Sequence, residues 1–570
     1  MHAIEQCPQT VDIQDSTPPS STRLSWPRQV VSAKQELAEQ LDSPGTSVRE
    51  IAEVLDVPRS TLRAWQQQKQ QLLQHCGLAT EVVEFFESSA GLSFLHQMLA
   101  AAHLVFGQAS DAGIRSLCEF FEMSGLHHFV AASYCSQRAA AEEMENLIVQ
   151  FGQEEDQRLG DQMQPRDISL AEDETFHPQC CLVGIEPVSN FILLEQYADR
   201  RDADTWHRCM DERLTGLPVT VVQVASDEAK ALIRHAEFCL GAHHSPDLFH
   251  IQHETVKATE FALNGQLDRA QKKLEQTRLD LEQTRQVLAA CTDSCPQSDY
   301  RYQLQRQLNE AETALATAEQ DLETCRDRRQ RATEAGRGLS EAYHPVDIES
   351  GCPQDSEAVG QRLDACFDQL DQAADEAELS QPARDRLAKA RRVKPRIQAT
   401  IDFFWTTVLG WFFKWRLPPV VATLMREVLI PVCYLRLAAE KASTAEERKR
   451  LRELADTVEA RARSPDCVWS SLGESEQEEL CERARLCAEL FQRSSLCVEG
   501  RNGHLALKHH ALHRLSGRKL SVLTVLHNYL IRRADGSTAA KRFYGQAPRD
   551  LFSWLLDRLS FPTRPRPRAA

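Results

Sequence analysis

The opening residues, MHAIEQCPQTVDIQDS, lack apolar character and a basic-then-apolar pattern, so no secretory leader is expected. It also lacks a long unbroken apolar run. The most apolar stretch, FFWTTVLGWFFKWRLPPVV, is cut by Lys414, Arg416, Pro418 and Pro419. It falls short of the roughly 20 residues needed to cross a bilayer, so a buried or interfacial helix is expected and no membrane partner. Cysteine is not scarce, but paired cysteine is: none of the eighteen forms a CxxC pair or a zinc-like Cys/His spacing. Reduced thiols serving as small apolar residues are expected, in a cytoplasmic setting and without zinc. A net charge of −17 excludes a protein that coats DNA uniformly.

What is present is local. From Gly500 to the end there are fourteen Lys and Arg against three Asp, and the cluster RDRLAKARRVKPR (Arg384 to Arg396) holds seven basic residues and one acid. Each cation that meets a phosphate releases counterions, so local density governs DNA contact more than the global sum. Arg391 and Arg392 are therefore candidate DNA contacts, with a solvated basic face as the alternative reading of either cluster.

At 570 residues the chain is long enough for two to four domains. Residues 1–25, containing STPPSS, read as disordered. Over 26–75, TSVREIAEVLDVPRSTLRAWQQQKQ has a helix-turn-helix pattern. Ile51 and Leu55 share a face, Ala52 permits close packing, and Asp56 and Val57 make the turn. Pro58 suits the first turn of the next helix, whose inner face is Leu62 and Trp65. Arg59, Ser60, Arg63 and Gln67 then face outward, with reach to base edges or phosphates. A two-helix packing unit without DNA contact is the alternative. Amphipathic helices without recognisable chemistry are expected over 76–162, where His127 and His128 read as packing or surface residues.

Three acids stand in informative contexts. Asp173 lies in DISLAEDETF, followed by the strand-like CLVGIEPV and NFILLEQYA; Asp227 closes a β-branched run in VTVVQVASDEAKAL; Glu499 lies in VEGRNGHLAL, after a long helical stretch. Strand, strand, strand, helix (Asp202 to Leu214), strand is the order of an RNase H-like core, whose first and fourth strands are parallel neighbours joined by a right-handed crossover. The two aspartates then sit side by side and a later helix brings the glutamate. Such a cluster cannot ionise cheaply unless divalent cations neutralise it. Glu172, Glu174 and Glu186 are competing acids.

SDEAKAL, HHSPDLFHIQHE, CVEGRNGHLALKHHALH, LTVLHNYLIRRADGSTAAKRFYG and PRDLFSWLL together resemble motifs of the DDE transposases of bacterial insertion sequences, in a group with a helical insertion. The resemblance runs from about Asp167 onward, outside the insertion. It implies two Mg²⁺ ions, with Mn²⁺ able to substitute: Asp173 bridging both, Asp227 on one and Glu499 on the other. It implies strand hydrolysis that frees a 3′-hydroxyl, then transfer of that hydroxyl to target DNA. The implied partners are double-stranded DNA, as element ends and as target, and further copies of the chain in an oligomer on DNA. The implied location is the bacterial nucleoid. Asn502 shares a face with Glu499 and, with Arg501, is a candidate DNA contact; where many such enzymes have a basic residue two turns on, Ala506 stands here and Lys508 is the nearest cation. Gly500 and Gly503, each costing a helix roughly 1 kcal/mol relative to Ala, are expected where backbone nears a phosphate or a strand. Asp247 and His250, near His253, are accessory candidates, because a Phe-His pair after an aspartate recurs at this position; holding the strand end is their alternative role.

The expected segments are 163–264 and 496–534 for the two parts of the core, 265–495 for the insertion and 535–570 for a basic C-terminal segment. In the insertion, Leu267, Leu274, Leu281 and Leu288 repeat every seven residues opposite the smaller Ala270, Thr277, Thr284 and Cys291, and Leu308, Leu315 and Leu322 alternate with Ala311, Ala318 and Cys325. This predicts a close antiparallel hairpin turning at CTDSCPQSD, with an intermolecular coiled coil as the alternative. The aromatics Phe403, Phe404, Trp405, Trp411, Phe412, Phe413 and Trp415 are expected in a core. Arg532, Arg533, Lys541 and Arg542 are expected to grip the DNA backbone, His527 and Asn528 to be buried hydrogen-bonding groups, and PTRPRPRAA to form a flexible cationic extension.

The expected architecture is thus an α/β catalytic core with an RNase H-like mixed sheet, embedded in a predominantly α-helical chain with an N-terminal helix-turn-helix and a large helical, coiled-coil insertion. The expected function is that of a DNA transposase. A non-catalytic helix-turn-helix regulator derived from one is the alternative, and it would need no carboxylate cluster. A structural coiled-coil protein would leave VEGRNG and DGSTAAKRF unexplained.

Overall fold

The structure, a computed structural model, describes residues 28–41, 45–75, 77–291, 298–464, 467–512 and 514–560. The expected disordered start, the cationic extension from Pro562 and most of the hairpin tip (292–297) lie outside the described residues. The chain divides into two compact units, 1–147 with 552–570, and 148–551.

The first unit is helical. It begins with α1 (Arg28–Leu41), α2 (Val48–Val54) and α3 (Arg59–His75). Ser47 starts α2 through a capping box: its Oγ accepts from Glu50 N, and the Glu50 carboxylate accepts from Ser47 N at 2.7 Å. The helix stops at Leu55, and Asp56 turns the chain at φ +49° before Pro58 leads into α3. Ile51, Leu55, Val57 and Leu62 form the core, flanked by Trp65, Ala38 and Leu41. Val57, read from sequence as part of the turn, is buried with them. Then come α4 (Thr80–Glu87), α5 (Ser89–Ala102) with a π-helical continuation to Ala109, α6 (Ile114–Met123) and α7 (Tyr134–Gly160), which runs on into the second unit. The run Ser89–Ala109, and not the tryptophan-rich stretch, is the one described helix long and apolar enough to cross a membrane by length and composition; half of its apolar window is buried inside the protein.

The second unit is built on one mixed five-stranded sheet in a predominantly helical chain: β1 (Arg166–Phe176), β2 (Cys180–Glu186), β3 (Phe191–Ala198), β4 (Val219–Ser226) and β5 (His243–Pro246). The order is β3-β2-β1-β4-β5. β1, β2 and β3 pair antiparallel, while β4 runs parallel to both β1 and β5. The long apolar burial of β1 to β3 reflects cover on both faces. On one side lies α8 (Ala203–Leu214), with Trp206, Cys209 and Met210 buried, followed after β4 by α9 (Lys230–Arg234).

From β5 the chain enters α10 (Leu248–Ala290), which pairs with α11 (Ser298–Ala342). α10 is continuous, so the boundary expected at residue 265 falls inside one helix. The pair is an antiparallel hairpin within one chain: Ala270 and Leu274 pack on Ala318 and Leu322, and Lys273–Asp321, Arg278–Glu319 and Arg285–Glu312 bridge its exposed sides. Next come α12 (Ser356–Glu376), α13 (Gln381–Arg391), α14 (Lys394–Lys414), α15 (Pro419–Leu424), α16 (Ile430–Lys441), α17 (Ala445–Ala460) and α18 (Glu474–Leu490). Phe404, Trp405 and Phe412 are in their core, but Phe413 is 87% exposed, because it lies on the outer face of α14. The chain then returns to the sheet as α19 (Leu496–Leu512), α20 (Gly517–Tyr529) and α21 (Ala539–Tyr544). Val498, Leu505, Leu520 and Leu523 from α19 and α20 cover Ala171, Val183 and Ile185 on the second face of the sheet. Residues expected to begin a separate basic segment at 535 are thus part of the second unit up to 551.

The alternation of large and small residues in the hairpin has a direct test. Ala318 is wholly buried against α10, so Ala318→Leu should overpack the seam and destabilise it by about 1–3 kcal/mol. Amide hydrogen exchange across 267–325 should accelerate while that of the sheet is unchanged.

Candidate functional site

Asp173 and Asp227 lie on and just after two paired parallel strands. β1 and β4 pair in parallel with Ala171 opposite Ala225. That is the last pair of the ladder: Asp173 lies two residues further along β1, and Asp227 follows Ser226, the last residue of β4. Side chains alternate along a strand, so Asp173 shares the face of Ala171, which is the face covered by α19. Glu499 lies in the first turn of that helix, where the helix dipole favours an acid. One turn on, Asn502 donates from Nδ2 to Asp173 Oδ2 at 2.9 Å.

Asp173 feels the other two acids. Burial, with repulsion from Glu499 and Asp227, pushes the Asp173 carboxyl up to about 7, while a backbone hydrogen bond and the charge of His250 pull the other way. His250 is held at about 8, first by its hydrogen bond to Asp247 (Nδ1 to Oδ2, 2.8 Å) and then by the negative charges of Asp247, Asp173 and Asp227. The imidazole is therefore a cation at neutral pH. Among the described residues, no group of three or more His, Cys, Asp or Glu side chains stands at metal-holding spacing.

Asp247 does more than orient His250. It is 1% exposed and caps α10 by accepting from Phe249 N at 2.9 Å. It also accepts from Ser495 N (3.2 Å) and Ser495 Oγ (2.6 Å). Burial opposes its charge, but the hydrogen bonds from His250, Ser495 and Phe249 outweigh burial and hold the carboxyl below its ordinary range. Ser495 in turn accepts the first backbone bonds of α19 from Val498 and Glu499. Asp247 thus joins the start of the insertion to the helix that carries Glu499.

The competing acids are occupied elsewhere. Glu172 points to the opposite face, fully buried, and meets His235 at 3.0 Å. Glu174 accepts from the Trp206 indole and from Arg201. Glu186 accepts from the backbone of Val188 and Ser189.

The expected DNA contacts divide. Arg59, Ser60, Arg63, Gln67, Arg392 and Lys541 are exposed. Arg532 reaches Asp550 at 3.8 Å, and Arg533 reaches the Val188 carbonyl at 3.5 Å. Others are engaged by partners within the protein, which corrects the reading of the buried ones as DNA contacts. Arg501 is buried in a two-pronged pair with Glu195, at 2.7 and 2.6 Å. Asn502 is engaged with Asp173, and Lys508 is buried. Arg391 is clasped by Asp368 and Asp371 at 2.7 and 2.8 Å. Arg542 donates to the carbonyls of Ser189 and Ser537 and so fastens α21 to the β2–β3 turn. Asn528 is buried and bonds both N and O of Ile192, as expected of a structural amide. Among the described residues, nothing beyond the helix's own nearby chain lies within 4 Å of where a Cβ would stand on Gly500 or Gly503, so neither serves a close approach to a described strand.

Sequence reading missed Ser495, Glu195 and His235. A signal for the burial of Arg501, the partner of Glu195, was present: Val498, Arg501, Asn502, Leu505 and Lys508 fall on one helical stripe, and all are buried.

A family model described as a family of unknown function, DUF6399, matches residues 425–570, which include Glu499 and Asn502 but neither aspartate. No curated protein matches the chain.

The raised Asp173 pKa makes a stability prediction. Between the unfolded value near 3.8 and about 7, the folded state holds a proton that the unfolded state has lost, so stability falls as pH rises through this window. Asp173→Asn removes the effect. It should stabilise the protein at pH 7–8, on the order of 1–2 kcal/mol after discounting for the site's opening to water, with the gain shrinking toward pH 4. Thermal unfolding of both proteins across this range is the measurement.

Proposed function

We propose that the chain is a DDE-type DNA transposase with an RNase H-like core, and that Asp173, Asp227 and Glu499 are its catalytic acids. The observation that supports this reading is that Asp173 on β1 and Asp227 just after β4 follow two paired parallel strands, while Glu499 lies on the helix that covers the Asp173 face, and both acids add to burial in raising the Asp173 pKa. The strand order and the cover of both sheet faces support the fold assignment. The capped α2, the tight turn and the exposed Arg59, Ser60, Arg63 and Gln67 support a helix-turn-helix that reads duplex DNA.

By donor type the three hard carboxylates suit divalent cations, and Asp173 resists ionisation first because it is buried and then because Glu499 and Asp227 repel its charge. Among the described residues the acids do not stand at metal-holding spacing, so bound ions would have to draw them closer. Asp173, Asp227 and Glu499 would hold two Mg²⁺ ions, or Mn²⁺ in their place. When bound, the ions activate water, make phosphorus electrophilic and stabilise the leaving oxygen. Asn502 holds the Asp173 carboxylate in one orientation, and His250, kept cationic by Asp247, offers positive charge to a phosphate. In hydrolysis the water oxygen bonds to phosphorus and the 3′-oxygen leaves, taking a proton to become a 3′-hydroxyl. In transfer that hydroxyl attacks a target phosphorus and displaces another 3′-oxygen. Element ends and target DNA are the partners, two ends call for an oligomer on DNA, and the site of action is the bacterial nucleoid.

A non-catalytic DNA-binding regulator is the second reading, favoured by the lack of a metal-spaced group among the described residues. Incubating the full chain with Mg²⁺ and a plasmid carrying its gene and flanking sequence separates the two. Cleavage at the flanks, lowered about 10³-fold or more in Asp227→Ala, is expected. Equal products from both proteins would remove Asp227 from the chemistry, and duplex binding without cleavage by the intact chain would favour the regulator. Arg63→Ala should weaken duplex binding by about tenfold in gel-shift titration at fixed salt, with little change in the salt slope beyond one contact.

A further inference from the structure

Arg501 is two residues from Glu499 and beside Asn502, yet it faces away from solvent. Its guanidinium forms two bonds to Glu195 on β3, at 2.7 and 2.6 Å, and the two side chains are 4% and 0% exposed. Thr524 on α20 donates to the same carboxylate at 2.6 Å. One carboxylate thus binds the sheet to α19 and α20 together. The surrounding layer (Val183, Ile192, Val498, Leu505, Leu520) is apolar. Apolar contacts are non-directional and tolerate small rotations of a helix. A forked arginine–carboxylate pair admits one geometry. A buried ion pair is also weak as a source of stability, since desolvation offsets its attraction.

We propose that Glu195, Arg501 and Thr524 form a positioning clamp that fixes the rotation of α19, so that Glu499 and Asn502 meet Asp173. The inference rests on the transposase reading of the acids. It assigns Arg501 a role inside the protein where DNA contact was expected. Rotation of α19 by one residue, about 100°, would carry both side chains off the sheet face.

The test replaces the charges together, Glu195→Leu with Arg501→Met, so that no orphan charge is left buried. Mn²⁺ binding to the full chain is read by the loss of free-ion paramagnetic resonance, beside thermal unfolding and hydrogen exchange of α19. The clamp requires about 10–100-fold weaker Mn²⁺ binding and faster exchange over 496–505, with an unfolding temperature close to that of the intact protein. Arg501→Lys, which keeps the charge but not the fork, should fall between, and it carries the test if the double variant does not fold. Unchanged Mn²⁺ affinity and exchange in a folded variant would overturn the clamp. If the intact chain shows no Mn²⁺ binding that Asp173→Asn abolishes, the catalytic reading is what has failed, and the clamp's role falls with it.

Discussion

The carboxylate of Asp247 is the joint on which the second unit depends. The chain leaves the sheet at this residue, runs through the long hairpin and the helical bundle, and comes back 248 residues later at Ser495. Asp247 holds both ends by capping α10 and gripping Ser495. Leu248 N adds a bond to Arg493 O at 2.9 Å. Beneath it, Gln223 bonds Ser245 on one side and the Gln492 carbonyl on the other, so strands and returning chain share one buried polar network. An insertion of this size is tolerated because its two ends meet at a fixed point, and loop closure then costs only weakly more with length.

Electrostatics explains why the site is poised and not at rest. Acids on adjacent strand ends repel, and the protein contains that repulsion without cancelling it. His250 supplies one positive charge and Asn502 one neutral donor. Burial first, and then the charges of Glu499 and Asp227, push the Asp173 carboxyl up to about 7. A buried carboxyl raised in this way lowers stability as pH rises through the window in which it would ionise.

Much of this was legible in the chain and some was not, for physical reasons. The strands of the sheet followed from β-branched runs, and the parallel pairing of β1 with β4 followed from the order of the elements. The hairpin followed from its seven-residue alternation. The fates of the arginines did not follow, because a basic residue reads as a donor for solvent or phosphate until its helical phase is weighed. Arg501 lies on the stripe of Val498 and Leu505, and Arg391 faces Asp364, Asp368 and Asp371, an acidic stripe one helix away. Ser495 was invisible for another reason: its role depends on a contact to Asp247 that no local pattern encodes. The apolar content of α14 suggested burial all round, yet Phe413 is exposed, since composition does not carry phase.

The most direct test of the central claim is anomalous diffraction from crystals of the full chain soaked in Mn²⁺. Convergence of the acids for chemistry requires manganese density between Asp173, Asp227 and Glu499, with Asp173 shared. Ordered carboxylates on the order of 10 Å apart, with no manganese bound among them, would contradict it.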